Sequence, residues 1–239
     1  MTGKSAAEIK GLFNEVSPTY DLLNRVLSIG CDQRWREAAA REISSKPGDL
    51  LLDLCGGTGD LALELAVRHP GCRVLLVDLA EEMLRLVRRK VVQSHVQTPG
   101  NGAVPLSACA DALALPLPDQ SCAGVTIGFG IRNLEDTRAG LLEARRVLRS
   151  GGRLAILEFM RPQGLLAPLK RFALRHLVPL ATRFVAPHRV EAYRYLANSI
   201  VEYLSVDEMA ALLREVGFVG ITARRQPLGF AWVLGATRP

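Results

Sequence analysis

Apolar residues recur along this chain with two periods, and the change from one to the other divides it. Near the start, Ile9, Leu12, Phe13 and Val16 share one helical face behind Ser5 and Glu8, which make a capping box. Pro18 interrupts that helix. Helical spacing resumes around YDLLNRVL and again around DQRWREAAAREI, where Asp32 stands at the N-cap position. From Leu50 the pattern becomes short apolar runs separated by helical stretches: LLDLC, a glycine-rich turn and a helix over 60–69, RVLLVDL, and a helix over 81–93. Beyond the polar loop QTPGNGAVP, PLSACADA and AGVTIGFG predict a third and a fourth strand, 136–149 a helix, and GGRLAILEF a fifth strand. Strands alternating with helices imply a parallel sheet covered on both faces, so the predicted class is a doubly wound, Rossmann-like α/β fold.

Residues 160–205 break the alternation. Pro162, Pro168, Pro179 and Pro187 cut a basic, apolar and mostly helical stretch that reads as a cap. A helix over 206–216, ended by Gly217, precedes two strand-like runs, FVGITARRQ and GFAWVLGAT. With 239 residues the chain suits one domain: N-terminal helices over 1–48, a core over 49–159, the cap over 160–205 and a C-terminal helix with two strands over 206–239.

Composition narrows this picture only modestly. Hydrophobic residues make up 49% and charged residues 23%, and the longest uncharged stretch, 91–110, is broken by Pro99, Gly100, Gly102 and Pro105, so a spanning helix is not expected. The opening MTGKSAAEIKGLF lacks the apolar core of a signal peptide, which predicts a cytoplasmic protein. Five scattered cysteines form no CxxC pair and share no ligand spacing with the four histidines, so they read as free, small hydrophobes rather than disulfides or a metal site. The net charge of +6 and pI near 9.3 suit a nucleic acid, an anionic membrane surface or an acidic substrate equally. Arg85, Arg88, Arg89 and Lys90, and likewise Arg138, Arg145, Arg146 and Arg149, read as solvated helix faces; the third basic group, Lys170 to Arg189, lies in the cap.

The chemistry is concentrated at strand ends. LLDLCGGTGDLALEL places Gly56, Gly57 and Gly59 between a strand and a helix, where backbone must approach a ligand closely. Gly57, Gly59 and Ala62 satisfy G-x-G-x-x-A, which keeps an NAD-dependent oxidoreductase in view. Asp78 ends the second strand where an acidic residue would bind a ribose diol. Asp53, just ahead of the glycines, would repel a pyrophosphate and suit an ammonium group. Asp111, closing the third strand, offers an acceptor to an adenine amino group. These last two carboxylates favour an adenosyl cofactor without phosphates.

DLCGGTGD, VDLA, ADALALPLPD and RVLRSGGRLAILEF together resemble a class I S-adenosylmethionine-dependent methyltransferase. YDLLNRVLSIGCDQRW, FGIRNLED, RVLRSGGRLAILEF and YRYLANSI resemble, in order along nearly the whole chain, the ubiquinone/menaquinone biosynthesis C-methyltransferases. That resemblance implies S-adenosylmethionine as cofactor, with Thr58 and Asp78 on it and Asp111 and Ala112 flanking the adenine. It implies C-methylation of a reduced quinone with a polyprenyl tail. The chain departs from the family pattern at Asp32, where a histidine is usual, at Ser150, where a proline is usual, and at Gly128, which replaces a serine that often contacts cofactor. VEYLSVDEM stands where the dual-substrate enzymes have His-Pro-Asp-Gln, which favours a naphthoquinol, demethylmenaquinol to menaquinol, over a phytyl naphthoquinol or a benzoquinol.

A ring carbon becomes a good nucleophile when an adjacent hydroxyl, with a reference pKa of about 10, loses its proton. Arg132, directly after the fourth strand, is the candidate to stabilise that phenolate, and Asn133 to orient the acceptor oxygen or a water. The competing reading is that both merely pair with or cap Glu135 and Asp136. Water, Tyr20 and His188 remain open as the base, and Tyr20 with Asp21 as a cover over the cofactor. LLAPLKRFALRHLVPLATRFVAPHR suits either a surface resting on anionic lipid or an ordinary core-facing helix pair. Nucleic acid is the least favoured partner, because aromatics are only 5% and FGIRN is not an Asn-Pro-Pro-Tyr loop.

Overall fold

The computed structural model describes residues 6–16, 21, 25, 28–93, 104–177, 180, 183, 190–227, 229 and 231–239. Seven strands form one sheet: β1 (Leu50–Leu54), β2 (Arg73–Asp78), β3 (Leu106–Cys109), β4 (Cys122–Gly128), β5 (Leu148–Phe159), β6 (Val219–Arg225) and β7 (Ala231–Thr237). Their order is β3-β2-β1-β4-β5-β7-β6. The first five run parallel and β7 enters antiparallel between β5 and β6, so the predicted doubly wound core and C-terminal strand pair are both present.

Burial explains the strand patterns. Central β4 is buried along six of its seven positions, as a parallel strand covered on both faces must be. Leu51, Leu52 and Leu54 of β1 are fully buried, each contributing roughly 1.5–3 kcal/mol by leaving water. Edge strand β6 is exposed nearly throughout and ends in Arg224 and Arg225, charges that discourage pairing with another edge.

The helices follow as α1 (Ala6–Val16), α2 (Asp32–Ala40), α3 (Asp60–Arg68), α4 (Glu81–Gln93), α5 (Thr137–Val147), α6 (Ala167–Phe172), α7 (Val190–Glu202) and α8 (Val206–Glu215). Asp136 caps α5 by accepting from the Ala139 amide at 3.0 Å, and Ser205 with Glu208 makes a full capping box on α8. Gly217 ends α8 at φ +90°, a conformation that favours glycine. Two boundaries differ from the sequence reading. Asp32 is the first residue of α2 and Cys31 its N-cap, because the Asp32 carboxylate is used by Ser28 and Arg36 instead of by the helix amides. Helix α5 stops at Val147, since Leu148 is drawn into β5 to pair with Cys122 across a bulge. Ser5, Tyr20, His188 and most of YDLLNRVL lie outside the described residues. All five cysteines are free; Cys72 and Cys122 are buried as expected, whereas Cys109 is exposed.

In the strand order 3-2-1-4-5 the chain reverses direction between β1 and β4, which opens a crevice beyond their C-terminal ends. Helix α1 lies beside this crevice, with Lys10 paired to Glu81 at 3.3 Å and Asn14 accepting from the Glu82 amide.

Candidate active site

A cleft of about 790 Å³, open to solvent, occupies the crevice. Gly57, Asp78, Asp111, Ala112 and Asn133 all line it, so four separate strand ends converge on one hollow. Ile9 and Phe13 of α1 close one side. A smaller hollow of about 340 Å³ continues from it and is lined by Asp53, Thr58, Asp60 and Arg36. The sequence-predicted cofactor residues are therefore brought together, across these two adjoining spaces.

The glycine turn is shaped by contact. Gly57 and Gly59 have φ of +55° and +84°. A Cβ on Gly56 would sit 2.5 Å from Leu76 Cγ and 2.8 Å from Asp53 Oδ2, so only glycine lets the turn pack over β2. Asp78 fixes the turn from the other side: one carboxylate oxygen accepts from the Gly57 amide at 2.8 Å and the other from the Ala80 amide at 2.8 Å. Burial raises its pKa above the usual carboxylate range, with those amides acting against the rise. Asp111 is exposed at the rim and accepts from the Leu113 amide at 2.9 Å, which holds the β3 exit in a tight turn. Thr58 donates to Asp21 at 2.6 Å, and Asp21 and Asp60 both pair with Lys90. This ties the segment bearing Asp21 to the glycine turn.

Asp53 is fully buried. Its Oδ1 accepts from Thr126 at 2.8 Å, while its Oδ2 makes no hydrogen bond within the protein. Desolvation pushes its pKa up to about 7, against the pull of Thr126 and of nearby Arg36. A buried carboxylate oxygen without a donor, on a hollow that adjoins the cleft, is where a cationic group would gain most. Arg36 itself is paired with Asp32 at 2.5 Å and Asp60 at 3.5 Å, and holds Asp32 below the ordinary carboxylate pKa despite its burial. Sequence reading missed Arg36; its i,i+4 spacing from Asp32 on a helix was the available signal. The donor set therefore fits an adenosyl amino acid: acceptors at Asp78 and Asp111 for hydroxyl and amine, an unsatisfied acid at Asp53 for ammonium, and a cation at Arg36 for carboxylate.

The other end of the cleft is built from the turn after β4. Phe129, with φ +58°, is a non-glycine residue in the left-handed region, as is Cys55 at the tip of β1 with φ +55°. Such a conformation persists only where neighbours enforce it. The Phe129 amide donates to Leu157 at 2.8 Å, its carbonyl accepts from Arg132 at 3.0 Å, and its ring lies 4.7 Å from that of Phe159. Gly130 is required by the same crowding, since a Cβ there would fall 2.3 Å from Cys55 Cβ.

Arg132 and Asn133 part company in this turn. Asn133 lines the cleft, with its Oδ1 accepting from the Tyr195 hydroxyl at 3.2 Å. Arg132 is absent from the cleft lining. Its guanidinium turns back to pair with fully buried Glu158 on β5, donates to Ser199 at 3.3 Å, and lies 5.9 Å from the Phe159 ring centre. The turn thus separates the two residues, with Asn133 on the cleft and Arg132 on a second hollow that it lines with Leu134, Glu135 and Tyr203. Neither caps the next helix; Asp136 does that. Glu158 keeps one oxygen without a partner, and burial raises its pKa although Arg132 opposes the rise. Tyr195 and Ser199 stand i,i+4 on α7, so YRYLANSI docks onto FGIRN through two polar contacts.

Residues 1–234 of this chain match the model of the ubiE/COQ5 methyltransferase family. The ubiquinone/menaquinone biosynthesis C-methyltransferase UbiE of Geobacter sulfurreducens is 39% identical over 227 residues, covering 94% of this chain and 86% of that protein. The demethylmenaquinone methyltransferase of Thermus thermophilus is 40% identical over 208 residues, covering 87% and 91%. Among solved structures, a SAM-dependent methyltransferase of Thermotoga maritima, described as a possible histamine N-methyltransferase, superposes with a TM-score of 0.65 at 18% identity, covering 96% of this chain and 99% of that one. That degree of identity speaks for the fold alone.

Proposed function

The chain belongs to the ubiE/COQ5 methyltransferase family, and from that premise we propose that it is an S-adenosylmethionine-dependent C-methyltransferase that converts demethylmenaquinol to menaquinol. Family membership carries the reaction class, cofactor and quinol acceptor. The observation that carries the site assignment is the cleft where Asp78, Asp111 and Asn133 meet, continued by the hollow holding Asp53. Bound there, S-adenosylmethionine supplies an electrophilic methyl group on a sulfonium.

Every other requirement falls on the chain. Asp78 accepts from the ribose hydroxyls, Gly57 leaves room for the ligand where a side chain would intrude, and Ala112 with Asp111 borders the adenine. Thr58 holds Asp21 against the glycine turn. Asp53, ionised on meeting an ammonium group, anchors the amino-acid end. Asn133 touches the acceptor: with Oδ1 held by Tyr195, an N–H of its amide points a hydrogen bond at the ring oxygen. This favours the phenolate form, which pushes charge onto the adjacent carbon. The cofactor would supply the methyl for the new carbon–methyl bond and leave as S-adenosylhomocysteine, and the ring proton would pass to water as aromaticity returns. Arg132 is a positioning residue here. By gripping the Phe129 carbonyl and Glu158 it holds the strained turn that presents Asn133, and the oily ring pair Phe129 and Phe159 keeps that turn dry.

The test is direct: labelled S-adenosylmethionine is incubated with reduced demethylmenaquinone, a phytyl naphthoquinol and a demethyl ubiquinone precursor in parallel. Label should enter a ring carbon of the first acceptor in preference to the other two. Label in none of the three would refute the assignment, and label in the benzoquinol alone would move the acceptor class.

A further inference from the structure

Six of the twelve large hydrophobic side chains that stand exposed among the described residues fall between Leu165 and Leu180. Leu165, Leu166, Leu169 and Phe172 run along the start and outer face of α6, and Leu177 ends the π-helical turn (Ala173–Leu177) that prolongs it. Leu165 is almost wholly open to solvent at 96%. The inner side of the same element is ordinary core, where Leu174 packs with Ala197, Ile200 and Val201 of α7. One side of this short hairpin is therefore used by the fold, and the other presents oil to water, a combination that marks an interaction surface.

Charge says what kind. Residues 159–190 contain six of the thirty lysines and arginines and none of the twenty-four acidic residues. The chain's entire net charge of +6 sits on them, and the remainder is balanced. Of these basic groups Arg161 pairs with Glu208 and Arg175 reaches Glu202 at 4.0 Å, so the charge is partly met from α7 and α8 while the segment carries no acid of its own. We infer that the outer face of α6 and the turn after it seats the protein on an anionic lipid bilayer. Leucine and phenylalanine enter the acyl boundary while Lys170, Arg175 and Arg183 meet the headgroups. A second copy joined through this face would set two such positive segments against each other, so the charge that draws anionic lipid opposes self-association. Among the described residues no helix is long and apolar enough to cross a membrane, so the contact lies in the interface plane.

The surface also has a place in the reaction, on the proposed function above. Its inner face rests on α7, whose Tyr195 and Ser199 hold Asn133 and Arg132. A prenylated acceptor leaving the bilayer would thus meet the acceptor turn one helix away.

The full chain is sedimented with vesicles of phosphatidylcholine alone and of phosphatidylcholine with phosphatidylglycerol, at low and high salt. Binding is expected only to the anionic vesicles and only at low salt, because screening shortens the reach of the charges. The double substitution Leu169→Glu with Phe172→Glu should weaken binding about tenfold or more, with an unaltered unfolding midpoint and unaltered methylation of a tail-less naphthoquinol. No binding to anionic vesicles, or binding that the double variant leaves intact, overturns the proposal. So does a concentration-dependent dimer that the variant abolishes without any lipid binding, or capture of oligonucleotides in place of lipid. Vesicle binding with no methyl transfer would leave this surface standing and count against the functional reading instead.

Discussion

The two ends of the cleft are made differently. At the cofactor end, Asp53, the glycine turn, Asp78 and Asp111 sit at the tips of β1, β2 and β3, and Asp78 and Asp111 are held by backbone amides of their own turn or of the adjoining glycine turn. At the acceptor end, the turn after β4 is held by side chains distant in sequence: Glu158 lies 26 residues from Arg132, Tyr195 lies 62 from Asn133, and Ser199 lies 67 from Arg132. The first end is written into the sheet, and the second is assembled by the cap. A strand tip that needs only glycines and an acid can be kept unchanged while a cap is altered.

Breaking the acceptor end should have the largest effect. Glu158→Ala leaves Arg132 buried without its carboxylate and should destabilise the protein by about 3–5 kcal/mol in denaturant unfolding. Replacing both partners, Arg132→Met with Glu158→Leu, should recover most of that loss while methyl transfer stays low, because the Phe129 turn has lost its clamp. Next comes the cofactor end. Asp78→Ala removes the acceptor from the ribose site and the brace from Gly57, and should weaken S-adenosylmethionine about 100-fold, near 3 kcal/mol, by calorimetry. The acceptor's KM should change far less.

The pH dependence sharpens the contrast further. Burial sets Asp53 near pKa 7 in the folded chain against 3.8 as the ordinary value. The folded state therefore holds a proton that the unfolded state has released between about pH 4 and 7. This group's contribution is fully favourable below that window and is lost as pH rises through it, a change on the order of 4 kcal/mol. Asp53→Asn should flatten the slope. Binding of a cationic amino acid requires the ionised form, so cofactor affinity should fall up to about tenfold per pH unit between 7 and 5 in the native protein and not in Asp53→Asn. The smallest effect is Tyr195→Phe, which frees Asn133 Oδ1. It should cost about 1 kcal/mol, or roughly fivefold, in kcat/KM for the quinol, with cofactor binding unchanged.

The same contrast decides how much could be read from the sequence. All seven strands were legible, because β1, β2, β4 and β5 each hold a short, mainly apolar run between turn residues. Asp78 and Asp111 were legible as strand-terminal acids after a glycine turn. Arg132 was found as an odd residue but its partner was not, since Glu158 lies next to the end of the run LAILEF and looks like an ordinary strand exit. The strain at Cys55 and Phe129 left no mark either, as neither residue type signals a positive φ. Tyr195 and Ser199 did leave one, a polar i,i+4 pair on an otherwise apolar helix face.

Asn133→Ala tests most directly whether the acceptor chemistry rests on the turn after β4. Cofactor affinity and kcat/KM for reduced demethylmenaquinone would be measured side by side on this variant. The account predicts cofactor binding within about threefold of native and a fall in kcat/KM of about 100-fold, mostly in kcat, because Asn133 acts on charge that develops in the acceptor. Unchanged kcat, or a loss of activity matched by an equal loss of cofactor affinity, would contradict it.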